Sequence, residues 1–234
     1  RSADGKMTVI DCNKKAGSEG SFALDVFKRI SWESGKFDID ALCLTHPHWD
    51  HFSGLLDLIR YAEDNGGRVK KIIWYFGLDR ASINKAIEAG LPETPPRDLM
   101  KNRPFFSSLL RLHSKIDDIR KCNEPSDFLL GAPSQDEVLR EEYSHNTGTT
   151  LKILGPTFNA IYDNQSSSAK YISEVVAEYL NEGNPRDDGY ANKLSSIIEI
   201  NVCGKLIVLA GDADITEIRN SFRFSGRPED EKID

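Results

Sequence analysis

The chain has 234 residues, 39% of them hydrophobic, and its 37 acidic against 30 basic side chains leave a net charge of −7. That length suits one domain with a sizeable core, while the acidic balance argues against a broad DNA-coating surface and leaves room only for a local basic groove. No apolar run approaches the ~20 residues of a bilayer span, no signal peptide is visible, and Cys12, Cys43, Cys122 and Cys203 stand singly, three of them in apolar strand contexts. This predicts reduced core thiols in a cytoplasmic protein, without a disulfide framework or a zinc ribbon.

In chain order, Met7–Ile10 is predicted as a strand, followed by a glycine loop at Gly17–Gly20. A helix from Ser21 places Ala23, Val26, Phe27 and Ile30 on one face. The apolar, β-prone run Ile39–Leu44 predicts a second strand, ending at Thr45. The segment Thr45-His46-Pro47-His48-Trp49-Asp50-His51 follows and holds three of the chain's five histidines, together with an aspartate. His46 and His48 are two apart, so an extended segment projects both side chains the same way, as two ligands of one metal require. Asp50 and His51 lie past the bend and can reach a second ion, and ions about 3.5–4 Å apart form the two-metal hydrolase arrangement. Neutral imidazole and carboxylate suit Zn²⁺ and neighbouring divalent ions.

A helix is predicted over Phe52–Asp64, where Phe52, Leu55, Leu56 and Ile59 repeat at helical spacing and Gly66 serves as C-cap. Val69–Phe76 is predicted as another strand, and the alternation of strands and helices points to α/β layers. From about Leu78 to Tyr143 the pattern turns helical: Ser82–Ala89 closed by Gly90, a rigid break at Pro92, Pro95 and Pro96, an amphipathic helix over Phe105–Cys122, and a capping box at Ser134–Glu137. This span is expected to be an insertion between the two halves of the fold. Its Lys101, Arg103, Arg111, Lys115, Arg120 and Lys121, near Phe105 and Phe106, offer a polyanion the cations and stacking surfaces it needs. They equally suit an ordinary solvated helix face, and Asp117, Asp118 and Glu124 dilute the charge. His113 reads as a surface or packing residue. Beyond it come a strand at Thr150–Leu154, a polar loop at Asn164–Ser168, a helix from about Ala169 to Asn181 and a second loop at Gly183–Gly189. A hairpin of Ser196–Val202 and Lys205–Leu209 around Cys203-Gly204 completes the pattern.

The H-x-H-x-D-H spacing of residues 46–51 resembles the signature of the metallo-β-lactamase superfamily. Met7–Cys12 is similar to that family's early strand, which ends in a structural aspartate, and Leu206–Asp214 to its late strand, whose aspartate bridges two metals at the position of Asp212. The resemblance implies an α/β (α+β layered) four-layer αββα sandwich with ligands on loops at one edge, the ligands being His46, His48, Asp50, His51 and Asp212. Within the superfamily, Thr45–Leu55, Leu154-Gly155-Pro156, Asn192–Ser196 and Gly211-Asp212-Ala213 are similar to the ComEC-type branch, the hydrolase domain of DNA-uptake proteins and their soluble relatives; Glu217 matches a glutamate of that branch. The likeness implies two zinc ions, with Mn²⁺ or Mg²⁺ as alternatives. It further implies hydrolysis of a phosphodiester in nucleic acid or a nucleotide by a metal-bound hydroxide. Asp212 would bridge the ions, Asp50 would orient the nucleophile, and the metals, helped by Lys193, Ser195 or Ser196, would stabilise developing negative charge.

Two features depart from that pattern. No histidine follows Asp212, where the superfamily usually supplies a last ligand, and the chain begins one short polar stretch before a core strand. The expectation is a single domain over residues 1–234, incomplete at one or both ends, with the helical insertion at about 78–143; a degenerate second site is the alternative. His145 falls roughly where other members place a mid-chain ligand, one that ComEC-type members tend to lack, and it reads either as a ligand or as a polar turn histidine. A ligand there would favour a lactonase-like or thioesterase-like carbonyl hydrolase. The non-enzyme reading is a metal-poor subunit that docks on a larger assembly through the insertion. Protein partners or a homo-oligomer are compatible with the chain; a membrane is not expected.

Overall fold

Buried on both faces, the run Ala41-Leu42-Cys43-Leu44 shows how the sequence is used. In the computed structural model, which describes residues 2, 5–15, 20–46, 48–74, 103–122, 128–130, 142–145, 149–156, 192 and 195–225, this run is the second strand of a parallel sheet. Strands β1 (Thr8–Ile10), β2 (Ala41–Leu44), β3 (Ile72–Trp74) and β4 (Phe128–Leu130) lie side by side in that order. Parallel strands covered on both faces need apolar side chains at every position, which explains why β2 shows no polar alternation. Leu42, Leu44 and Ile72 join one core cluster with Leu24 and Phe27 of α1 (Phe22–Ser34) and Leu55, Leu58, Ile59 and Ala62 of α3 (Leu55–Asp64). Leu109, Leu112, Ile116 and Ile119 of α4 (Arg103–Lys121) complete that cluster. Cys43 and Ile73 point the other way, into a second cluster with Leu151, Ile153 and Ile198.

Those last three residues belong to an antiparallel sheet in the order β5 (Glu142–His145), β6 (Thr149–Gly155), β7 (Ile197–Val202), β8 (Lys205–Leu209). The predicted hairpin is present: Cys203 and Gly204, with φ of 52° and 85°, form its two-residue turn, and positive φ at both positions matches strand twist. Helix α5 (Ile215–Phe224) packs Phe222 and Ile218 against Leu154, Ile197 and Val208, and its N-cap Asp214 accepts from the Glu217 N–H at 2.8 Å. The structure is thus mixed α and β, as expected.

Several expectations change in detail. Val26 faces outward, 46% exposed, because the buried stripe of α1 runs through Leu24, Phe27 and Ser31. The predicted helix over Phe52–Asp64 is two helices, α2 (Trp49–Phe52) and α3, separated at Ser53-Gly54. The break brings Gly54 against the end of β1: its N–H donates to Cys12 O at 2.7 Å, and a Cβ there would meet Cys12 Sγ at 2.8 Å. Helix α4 and strand β4, inside the span read as an insertion, belong to the first core cluster and the first sheet. Only Cys12 and Cys43 are buried thiols; Cys122 and Cys203 are exposed, the latter because it occupies the turn rather than a strand. The readings at Ser82–Ala89, Gly90 to Pro96, Ser134–Glu137, Asn164–Ser168, Ala169–Asn181 and Gly183–Gly189 lie outside the described residues. Among the described residues no helix is long and apolar enough to cross a membrane.

Candidate metal centre

β1 and β2 run in register, with Ile10 opposite Cys43, so the residues just beyond them meet at one edge of the sheet. Asp11 leaves β1 with φ of 56°, a left-handed conformation that aspartate tolerates better than most side chains. Its carboxylate takes three hydrogen bonds: Oδ1 from the Thr45 N–H at 2.8 Å, and Oδ2 from the Thr45 hydroxyl at 2.6 Å and from His51 Nδ1 at 2.8 Å. The Cys12 N–H donates to His51 O at 2.6 Å, which ties the turn of α2 to the same strand end. A histidine whose Nδ1–H is held by a carboxylate presents its Nε2 lone pair, the usual support of a metal-bound imidazole.

His46 and His48 converge just past the end of β2, as their spacing predicted. His46 Nε2 lies 3.0 Å from His48 Nδ1. Asp212 arrives from the end of β8, with Oδ2 3.3 Å from His46 Nε2 and 3.5 Å from His51 Nε2. Gly211 makes that approach feasible: its φ is 54°, and a Cβ there would press on Thr45 Oγ1 at 3.2 Å and Ser195 Cβ at 3.3 Å. Each of His46, His48 and Asp212 offers one ligand atom within 4.8 Å of the others. Metal–nitrogen bonds of about 2.0–2.1 Å in a tetrahedral site put donor atoms about 3.3 Å apart. The two separations at His46 match that edge length and the third pair lies within 4.8 Å, so these residues could hold a divalent cation. Zn²⁺, Mn²⁺ and Mg²⁺ are all compatible with the donor set.

Asp50 sits on the first turn of α2, with Oδ2 3.8 Å from His51 Nε2 and its side chain 68% exposed. It therefore stands beside the cluster and faces solvent. Ser195, suggested from sequence as a partner for developing negative charge, lies instead behind the cluster. It is fully buried, with Oγ 3.1 Å from His46 Nδ1 and accepting from the Asp212 N–H at 3.2 Å. The side chains of His145 and Lys193 lie outside the described residues. His113 is buried in α4, with Nδ1 3.5 Å from Asp117, in keeping with its packing reading. Of the basic residues assigned to a groove, Lys115 is bonded to Glu63 at 2.5 Å and Lys121 to Asp118 at 3.4 Å. Arg111 and Lys115 line a hollow of about 360 Å³ with Leu56 and Arg60 of α3. Lys101 and the side chains of Arg103, Phe105 and Phe106 lie outside the described residues.

Sequence reasoning missed Thr45 as a hub. Its hydroxyl also lies 3.1 Å from His46 Nδ1 and 3.2 Å from His51 Nδ1. A threonine at the end of an apolar strand, just before a histidine pair, was the available signal.

Burial, reinforced by His51 and His48, lowers the pKa of His46 to about 2. Burial and His51 lower that of His48 to about 4, against the opposing charge of Asp50. Burial also works against the charged form of His51, but the Asp11 hydrogen bond and the charges of Asp11, Asp50 and Asp212 together raise it. His46 and His48 are therefore neutral at pH 7, the form in which an imidazole can ligate a cation. In the metal-free protein the unfolded chain binds protons at these two positions that the fold does not. Stability consequently falls as pH drops below the unfolded value of about 6.5. His46 and His48 should each remove about 2 kcal/mol between about pH 7 and pH 5. His51 acts oppositely, contributing stability below about pH 6.5 that fades as pH rises through its raised pKa, and so offsets part of the loss. Urea denaturation of metal-free protein at neutral pH and in mild acid checks this; equal stability under the two conditions would contradict it.

A family model described as the Metallo-beta-lactamase superfamily matches residues 16–149. No curated protein and no solved structure matches the chain. The match spans more than half of the sequence and contains the histidine cluster, so the chain belongs to the metallo-beta-lactamase superfamily, whose members are generally metal-dependent hydrolases.

Proposed function

We propose that the protein is a two-metal hydrolase that cleaves phosphodiester bonds in nucleic acid or nucleotides, with the ComEC-type branch as its nearest likeness. The observation that carries this reading is the position of Asp212: one carboxylate oxygen faces His46 Nε2 at 3.3 Å and His51 Nε2 at 3.5 Å. A single oxygen between two imidazoles suits a pair of adjacent cations. Such a pair, when bound, lowers the pKa of a water and neutralises charge on attacking and leaving oxygens. His46, His48 and Asp212 would hold the first ion, and Asp212, His51 and Asp50 the second. Zn²⁺ best suits the imidazole-rich donors. Asp50, exposed beside the cluster, would orient a nucleophilic water. Arg60 and Arg111, at the hollow between α3 and α4, offer charge that phosphate groups would meet. The three apolar clusters support an α-β-β-α layering, with α1, α3 and α4 outside the first sheet and α5 outside the second.

The test is a hydrolysis panel of DNA, RNA, a dinucleotide, a lactone and a thioester, with Zn²⁺, Mn²⁺ or Mg²⁺ added. Metal-dependent cleavage of phosphodiesters alone is expected, falling roughly 10²–10⁴-fold in Asp50→Ala. Turnover confined to the carbonyl compounds would replace this reading with a lactonase-like or thioesterase-like one. Metal binding without turnover of any substrate would favour a role as a subunit.

A further inference from the structure

His46 has different neighbours on its two ring nitrogens, and they do not ask for the same tautomer. Nε2 faces Asp212 Oδ2 at 3.3 Å and His48 Nδ1 at 3.0 Å. Nδ1 faces two hydroxyls, Thr45 Oγ1 and Ser195 Oγ, each at 3.1 Å. A neutral imidazole carries one N–H and one bare nitrogen. Without a cation, a bare Nε2 would set a lone pair against the carboxylate oxygen; an N–H there donates to it instead. Nδ1 is then bare and requires a donor. With a cation bound, Nε2 must be bare, and Nδ1 carries the hydrogen and requires an acceptor.

The two hydroxyls differ in what they can supply. Thr45 donates its hydrogen to Asp11 Oδ2 at 2.6 Å, because a carboxylate oxygen accepts. Toward His46, Thr45 can only accept. Ser195 Oγ already accepts from the Asp212 N–H at 3.2 Å, but its own hydrogen and its second lone pair remain available. It is fully buried, so water does not compete for the position. Its backbone is anchored on both sides, Ser195 N–H to Asn192 O at 3.0 Å and Ser196 N–H to Thr45 O at 2.9 Å. Ser195 is thus the hydroxyl that can serve both states of the ring while holding the chain of the aspartate ligand.

We propose that Ser195 is a positioning residue whose rotatable hydroxyl sets the tautomer of His46, donating to Nδ1 when the centre is metal-free and accepting from Nδ1 when a divalent cation is bound. The inference rests on the metal-centre reading and adds to it a residue outside the ligand set. It explains why a buried serine, rather than an alanine of similar volume, stands where the β2 and β8 ends meet.

Nitrogen-15 NMR of the histidine side chains tests this on the full chain, metal-free and titrated with Zn²⁺. In the unmodified protein, the His46 hydrogen should sit on Nε2 without zinc and move to Nδ1 on loading. In Ser195→Ala, only the accepting Thr45 hydroxyl remains, so the hydrogen should sit on Nδ1 in both states; Ser195→Thr, which keeps a hydroxyl, should restore the change. Zinc binding with His46 in one unchanging tautomer in the unmodified protein overturns the inference even if the variants fail to fold, as does a change that persists in Ser195→Ala. Absence of zinc binding by the unmodified protein is a different result: it removes the metal-centre reading itself and this inference with it. A purely structural serine would alter the melting temperature and leave the His46 tautomers as they were.

Discussion

Zinc titration with elemental analysis is expected to give about two ions per unmodified chain and none in the His46→Ala, His48→Ala double variant. The effect should be all or nothing because these two imidazoles supply both nitrogens of the three-residue cluster with Asp212. Removing both leaves His51 with the part-exposed carboxylates of Asp50 and Asp212, a set expected to hold the second ion only when the first ion shares Asp212. The double variant should still fold, since the two side chains contribute to the site and not to any of the three apolar clusters. Circular dichroism would confirm that the loss is local. One ion in the unmodified protein would mean that Asp50 and His51 do not complete a second site. No ion would leave a superfamily scaffold without its chemistry and make partner binding the leading explanation.

Asp11→Ala should be nearly as damaging, although Asp11 is not among the proposed ligands. The substitution strands the Thr45 N–H, the Thr45 hydroxyl and His51 Nδ1, all of which now meet one carboxylate. It also takes away the hydrogen bond and charge that raise the pKa of His51 against its burial. Leaving part-buried donors without their hydrogen-bond acceptor typically costs about 1–3 kcal/mol. Loss of the group that orients a metal-binding histidine typically weakens affinity about 10–100-fold. Both effects are expected here, read by urea denaturation and by zinc calorimetry. A variant with reduced stability but unchanged zinc affinity would assign Asp11 to the fold alone and show that His51 finds its orientation without it.

Much of the centre was legible from local sequence because its spacing is local. His46 and His48 follow a strand, and a period of two directs both side chains to one side in any extended segment. The hairpin at Cys203-Gly204 was legible for a similar reason: two apolar runs separated by two residues that accept positive φ have few other ways to pair. The break between α2 and α3 was less visible. Phe52, Leu55 and Ile59 keep a helical period across it, and the cause lies outside the segment, in the approach of Gly54 to Cys12. Within the span read as an insertion, the long-range pairing was equally hard to see. Its amphipathic helix over Phe105–Cys122 was legible, but no local signal told that β4 would pair with β3 or that Leu112 and Ile116 would enter the first core cluster.

By itself the sequence determined the class of chemistry, since imidazole and carboxylate at that spacing serve few purposes other than holding cations. It also determined the apolar strands that end at the site. Only the tertiary structure decided that Asp212, far from the histidines along the chain, closes on His46 and His51. It also decided that Asp11, Thr45 and Ser195 stand behind those side chains. The physical reason is that a hydrogen bond between strand ends depends on which strands become neighbours and in what register. That pairing is set by burial over the whole core, and no short stretch of the chain encodes it.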